Sequence, residues 1–345
     1  MKYKCCNHIL GSIDLSFGGF KYCNEVWEGP EYISYKEEHA FEKNEQRRLK
    51  IIEDMKKGII PERCKLCPIL EEKEWKEFDG KIHKITVFNW RHCNAACFYC
   101  SVHSDFHDGV KKSDDYDSLP IIESLIKEGR LTADSFIAFM GGEPTMLAEF
   151  PAILKLLLEQ NCRLEVLTNG IKYEPLIGEM LQAENNNTIC ISLDCGTKES
   201  YKRIKRVDKF DEVTASIKQY ISAAKDKSNR VRIKYIIFPN VNDNKKEIDA
   251  FFEVCKRAGV KTVSRAVNHD ESKMNTTKNQ AIEASVIKAY KYFELQAKKL
   301  GFDLTAEPWA DAIIENKVYN CRKISPLVRL KSEFHFLFGS KKNAS

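Results

Sequence analysis

A chain of 345 residues has room for one large domain or two smaller ones, and 43% apolar content supplies a sizeable core. Charged residues make up 30% with both signs mixed, and a net charge of +5 is small for this length, so no basic face for nucleic acid is implied. No run reaches the ~18 apolar residues a membrane-spanning helix needs, and Met1-Lys-Tyr-Lys-Cys-Cys6 lacks the apolar core of a signal peptide. The chain is therefore expected in the cytoplasm, where thirteen cysteines argue for metal clusters over disulfides.

The N-terminal elements come first. Ile13, Leu15 and Phe17 alternate, Gly18-Gly19 supplies a turn, and Phe20 to Cys23 returns, which predicts a β-hairpin. A charged, helix-like segment runs from Glu37 to Lys57 and stops at Gly58. Pro61-Glu-Arg-Cys64-Lys-Leu-Cys67-Pro68 follows. Cysteines thus stand before the hairpin (Cys5, Cys6), at its end (Cys23) and in a C-x2-C knuckle (Cys64, Cys67).

After Lys81 strand and helix alternate. The predicted strands are His83 to Asn89, Ser135 to Met140, Arg163 to Thr168, Thr188 to Asp194, Val231 to Phe238 and Lys261 to Ala266, each a short apolar run rich in β-branched residues. The predicted helices are Leu119 to Glu128, Leu147 to Gln160, Tyr173 to Ala183, Phe210 to Lys225, Lys245 to Arg257 and Asn279 to Leu300. Such alternation implies parallel strands with crossover helices, an α/β fold of the incomplete (β/α)6 barrel type. Its functional loops should lie at the C-terminal ends of the strands. The basic stretch Lys202 to Lys209 reads as a solvated face or a carboxylate-binding edge. The runs Glu307 to Trp309 and Phe334 to Phe338 read as a lid over the open side of the barrel.

The densest chemistry sits after the first of these strands, in Phe88-Asn-Trp-Arg-His-Cys93-Asn-Ala-Ala-Cys97-Phe-Tyr-Cys100. Three cysteines on one tight loop suit three irons of a 4Fe–4S cube and leave the fourth iron to a ligand that is not protein. The competing reading is a zinc site completed by His92 or His103. Tyr99 before the last cysteine, and the position after a strand, favour the cluster.

The triplet with its aromatic resembles the signature of radical SAM enzymes. Gly141-Gly142-Glu143-Pro144 is similar to the GGEP motif that holds the methionine amine of S-adenosylmethionine in that family. Leu167-Thr-Asn169-Gly170, Ile191-Ser192-Leu-Asp194 and the run Ile233 to Pro239 follow in the matching order, and the likeness spans residues 82 to 300. The resemblance implies a 4Fe–4S cluster on Cys93, Cys97 and Cys100. It implies cofactor contacts from Tyr99, Gly141, Gly142, Glu143, Asn169, Ser192 and Asp194, with Lys205 near the methionyl carboxylate and Arg203 and Arg206 as rivals. It also implies an electron donor such as flavodoxin or ferredoxin.

Residues 1–80 resemble the auxiliary-cluster modules called twitch or SPASM, here placed before the barrel. The resemblance implies a second 4Fe–4S cluster on Cys6 (or Cys5), Cys23, Cys64 and Cys67. Cys6 is favoured by the shifted phase of Ile13 and Leu15, and a structural zinc knuckle is the alternative. The expected division is 1–80 auxiliary module, 81–305 barrel and 306–345 lid or tail.

The implied activity is reductive cleavage of S-adenosylmethionine and hydrogen abstraction from a peptide or carbohydrate, ending in oxidation or cross-linking. No separate leader-binding domain is legible, which leaves room for a sugar or nucleotide-sugar substrate. A radical epimerase is the alternative reaction, with Cys195 or Cys321 returning a hydrogen atom. Both cysteines, like Cys162, Cys190 and Cys255, also read as small buried apolar residues. The reading from another class is a non-catalytic iron–sulfur electron carrier or maturation partner.

Overall fold

The computed structural model describes residues 2–23, 33–65, 67, 70–100, 116–268 and 284–305. His103, Cys321 and the two runs expected to form a lid lie outside them. The described residues fall into two compact units. The first holds those up to Cys93 and those from Tyr116 to Val166. The second holds Asn94 to Cys100 and those from Leu167 onward.

The first unit opens with β1 (Lys2–Cys5), α1 (Asn7–Gly11), β2 (Ser12–Ser16), β3 (Gly19–Lys21) and β4 (Ile33–Ser34). The predicted hairpin is β2–β3, with Gly18 at φ +77 in its turn. Positive φ there suits a residue without a Cβ. β2 does more than close a hairpin. It also pairs in parallel with β6 (Lys84–Phe88), with Ile13 opposite Ile85 and Leu15 opposite Val87.

Between them lie α2 (Ala40–Lys56), the charged helix expected from the sequence, and β5 (Glu71–Glu74). β5 is Glu-Glu-Lys-Glu and pairs antiparallel with β1. A strand of four charged residues carries no apolar alternation and was not expected. α2 is fastened to the hairpin by Arg48, whose side chain is fully buried. Its Nη1 donates to the Ile9 carbonyl at 2.7 Å, its Nη2 to the Ser12 carbonyl at 2.5 Å and its Nε to Glu45 at 3.1 Å. A buried guanidinium is tolerable only when its donors are matched in this way.

The unit continues with α3 (Leu119–Lys127), β7 (Phe136–Phe139), α4 (Phe150–Glu159) and β8 (Arg163–Thr168). β6, β7 and β8 are parallel, with Ile85, Ile137 and Leu164 in one row. These side chains are fully buried, as are Ile153, Leu154 and Leu157 of α4. The spacing of the helical residues gives one apolar stripe.

The second unit holds α5 (Pro175–Gln182), β9 (Thr188–Ser192), α6 (Lys198–Lys205), α7 (Phe210–Ala224), β10 (Val231–Ile237), α8 (Lys245–Arg257), β11 (Thr262–Val267), α9 (Ala284–Leu300) and β12 (Asp303–Thr305). β9, β10, β11 and β12 are parallel, with Ile191, Ile233, Val263 and Leu304 in register. α7 and α8 bury Val213, Ile217, Phe251 and Phe252. All six predicted strands are present as β6 to β11 within two residues of the expected ends, and the architecture is the α/β partial barrel type.

In the basic stretch from Lys202 to Lys209, Lys202, Arg203, Arg206 and Lys209 are exposed, as a solvated face would be, while Ile204 and Lys205 at the end of α6 are buried and Lys205 binds the Asp194 carboxylate. Among the described residues, no helix is long and apolar enough to cross a membrane.

Candidate functional site

The motifs matched after Lys81 lie at the C-terminal ends of parallel strands. Cys93 comes after β6, Gly141 after β7, Asn169 after β8, Asp194 after β9 and Phe238 after β10.

In the first unit, the Gly141–Glu143 turn lies against the segment that leads to Cys93. Gly142 N–H donates to Trp90 O at 3.1 Å and Glu143 N–H to His92 O at 2.8 Å. A Cβ on Gly142 would stand 2.2 Å from His92 O, and one on Gly141, at φ +106, would stand 3.1 Å from the Phe88 Cα. The two glycines are therefore required by backbone packing. Glu143 is 1% exposed. Its Oε1 accepts the Thr145 hydroxyl at 2.9 Å and the Thr145 N–H at 3.3 Å, capping the short turn Pro144–Met146. Thr145 is a partner that the motif did not disclose.

In the second unit, the loop from Asn94 to Cys100 is tied at both ends. Asn169 Nδ2 donates to Asn94 Oδ1 at 2.7 Å. Gly170, at φ +72, leaves room that a Cβ would fill 2.7 Å from Ile191 Cγ2. Ala96 N–H donates to Lys205 O at 3.0 Å and Phe98 N–H to Ile204 O at 3.1 Å, while Cys100 N–H closes a turn onto Cys97 O at 3.1 Å. The Tyr99 ring packs 4.8 Å from that of Phe238.

The Tyr99 hydroxyl donates to Asp194 Oδ2 at 2.7 Å, and Lys205 Nζ donates to the same oxygen at 2.5 Å and to the Tyr99 oxygen at 2.9 Å. Burial opposes the Lys205 ammonium, but Asp194, Tyr99 and Cys97 outweigh it and hold its pKa well above the usual lysine range. Burial, reinforced by Asp194, pushes the Tyr99 phenol well up. Ser192 is half-buried at the end of β9.

Cys93, Cys97 and Cys100 are half-buried and outside any disulfide. Burial raises the pKa of the Cys97 thiol and the Lys205 ammonium lowers it, burial prevailing. Cys162, Cys190, Cys195 and Cys255 are instead buried in the core. Cys195 is fully buried and burial drives its pKa well above the usual thiol range. That burial is what the small-buried-residue alternative expects of it.

A second thiol group lies in the first unit. A cavity of about 420 Å³ is lined by Cys6, Cys23, Cys64 and Cys67, with Arg47 and Lys50 of α2 at the same wall. Cys67 N–H donates to Cys64 O at 3.0 Å, the tight turn of the C-x2-C knuckle. Cys5 does not line the cavity. It is fully buried among Tyr3, Ile9 and Met55, and burial raises its pKa to about 11. Cys6 lies between β1 and α1 and is the one of the pair that lines the cavity, although both are buried.

Among the described residues, no three His, Cys, Asp or Glu side chains stand arranged around one point as a metal site would need. The case for clusters rests instead on donor chemistry: soft thiols grouped three on one loop and four on one cavity. Both groups fit iron–sulfur ligation in kind and number.

A family model described as the Radical SAM superfamily matches residues 90–269, just over half the chain. The chain is 26% identical over 164 residues to an S-adenosylmethionine-dependent nucleotide dehydratase of Selenomonas ruminantium, covering 46% of this chain and 58% of that protein. It is 23% identical over 197 residues to a GTP 3',8-cyclase of Vibrio atlanticus, covering 56% of each. The chain thus spans less than two thirds of these relatives. Streptococcus suis SuiB bound to the precursor peptide SuiA superposes with a TM-score of 0.53 at 14% identity, covering 90% of this chain and 63% of that one.

Proposed function

The chain belongs to the Radical SAM superfamily, and we propose that it is a two-cluster enzyme that oxidises or cross-links a peptide or carbohydrate substrate. A 4Fe–4S cluster with one open iron supplies, when bound, the electron that splits S-adenosylmethionine to methionine and a 5'-deoxyadenosyl radical, which takes a hydrogen atom from substrate. Cys93, Cys97 and Cys100 would hold that cluster. The carrying observation is the Gly141–Glu143 turn packed on the segment that ends at Cys93, with Gly142 too close to His92 O for any side chain. That packing brings a buried carboxylate, Glu143, to the strand end where the cysteine loop begins.

Glu143 would receive the methionine ammonium as a charge-assisted hydrogen bond. Ser192, with no bulk beyond its hydroxyl, would receive a ribose hydroxyl. Cys6, Cys23, Cys64 and Cys67 would hold the second cluster. With four thiol ligands such a cluster would be fully closed by protein, which would suit electron transfer. The lining of the cavity favours Cys6 over Cys5. The reductant would be a flavodoxin or ferredoxin, and the cytoplasm would keep the thiols available.

The nucleotide named for the dehydratase and the GTP named for the cyclase motivate a second substrate class, a nucleotide. Reduced protein would be offered short peptides, oligosaccharides and nucleoside triphosphates in deuterated water. A peptide or glycan product lighter by two hydrogens supports the proposal. A modified nucleotide moves the substrate class to the second reading. One deuterium on carbon with unchanged connectivity supports thiol return and overturns oxidation.

A further inference from the structure

Three segments of the second unit meet at one carboxylate. Asp194 is fully buried at the end of β9, in left-handed backbone at φ +62. Few residues other than glycine, asparagine and aspartate accept that conformation. Its Oδ1 accepts the Ile236 N–H at 2.9 Å. Its Oδ2 accepts both the Tyr99 hydroxyl at 2.7 Å and the Lys205 ammonium at 2.5 Å. Asn242 Nδ2 donates to the Asp194 carbonyl at 2.7 Å, and the Asp194 N–H donates to Lys234 O at 3.1 Å. The strained backbone is thus held from both sides, and both lone pairs of Oδ2 are in use.

The cysteine loop hangs on the same group. Ala96 and Phe98, on either side of Cys97, donate their N–H groups to the Lys205 and Ile204 carbonyls at 3.0 and 3.1 Å. These carbonyls belong to the last turn of α6, where helical partners run out. The Lys205 stem, 1% exposed, runs back from that turn to Asp194 and Tyr99. Main chain and side chain of Lys205 therefore grip the loop at two points, one each side of Cys97. Turning the ammonium toward another ligand would leave Asp194 buried without its charge partner, a costly arrangement.

We propose that Asp194, Lys205 and Tyr99 form a lock that sets the position of the cysteine loop. Lys205 then acts on the cofactor site through Tyr99, as a positioning residue, and does not touch the methionyl carboxylate. The inference rests on reading this loop as the cluster loop. Tyr99→Phe separates it from the direct-contact alternative, because it deletes one hydroxyl and keeps the ring on Phe238. If Lys205 bound the carboxylate directly, deleting that hydroxyl would remove one competing partner of the ammonium and leave Asp194, and S-adenosylmethionine binding would hold or tighten.

The test uses the full chain. Hydrogen exchange of the segment 94–100 is measured on metal-free wild type and Tyr99→Phe. S-adenosylmethionine affinity is measured on the anaerobically reconstituted forms, with Lys205→Met beside them. The lock predicts exchange at Ala96 and Phe98 about tenfold faster in Tyr99→Phe, the loss of one hydrogen bond to a charged group. Amides of α8 should keep their protection, iron content should hold, and cofactor affinity should fall. Wild-type exchange and wild-type affinity in Tyr99→Phe overturn the proposal, as does a loss of affinity in Lys205→Met alone. If wild type takes up no iron, the cluster reading fails, and the exchange result still decides the lock. Tyr99→Phe also decides it if Lys205→Met does not fold.

Discussion

Gly142 links sequence to site at the level of a single atom. Its missing Cβ leaves the 2.2 Å that separates an ideal Cβ from His92 O, and the obstacle is main chain on the segment leading to Cys93. Gly142→Ala must push the Glu143 turn away from that segment. The expected outcome is a loss of roughly 1–3 kcal/mol by denaturant titration, the usual scale of overpacking, together with weakened S-adenosylmethionine binding and retained iron. Unchanged cofactor affinity would detach the turn from the site. The glycines and Glu143 were legible because the motif is made of residue types whose chemistry is unambiguous. Thr145 was not, since a hydroxyl two residues on has many uses. Lys205 was legible as a cation near the site but not as a buried one. Its sequence neighbours Lys202, Arg203 and Arg206 suggest a solvated face, and only the turn of α6 separates it from them.

The elements around the second thiol group were read from alternation and turn residues, and the hairpin β2–β3 and α2 are where that reading put them. The choice between Cys5 and Cys6 depended on strand phase, which one residue inverts. The cavity wall includes Cys6 and excludes Cys5. Cys6→Ala should therefore remove about four irons per chain from anaerobically reconstituted protein, the content of one cluster, while Cys5→Ala should remove none. The reverse pattern would transfer the ligand to Cys5.

Arg48 is the part of this region that patterning missed. A charged residue on a charged helix carries no sign of burial, yet its side chain is fully buried and serves the Ile9 and Ser12 carbonyls. Arg48→Met leaves those carbonyls and part of Glu45 without a donor. Unfolding free energy should drop by about 2–4 kcal/mol in denaturant titration. A drop under about 0.5 kcal/mol, the range of neutral surface changes, would refute the anchoring role. β1 and β5 were illegible for a related reason, because Glu-Glu-Lys-Glu gives no apolar phase to follow.

Across the molecule, the strand–helix alternation was readable because parallel strands are covered on both faces and appear as apolar runs. Ile85, Ile137, Leu164, Ile191, Ile233 and Val263 are all fully buried. The order of motifs at successive strand ends followed from the same alternation. Substrate identity did not, because a fold and its cofactor motifs serve many substrates and carry no signal for one of them. Reductive cleavage of S-adenosylmethionine is the reaction that decides whether this chain is a working radical SAM enzyme. Anaerobically reconstituted protein is reduced with dithionite, given S-adenosylmethionine and assayed for 5'-deoxyadenosine, with metal content measured on the same sample. The account predicts about eight irons per chain, 5'-deoxyadenosine and methionine in equal amounts, and loss of that product in the combined Cys93, Cys97 and Cys100 to alanine variant while the N-terminal iron remains. Stoichiometric zinc with little iron, and neither cleavage nor binding of the cofactor, would contradict it.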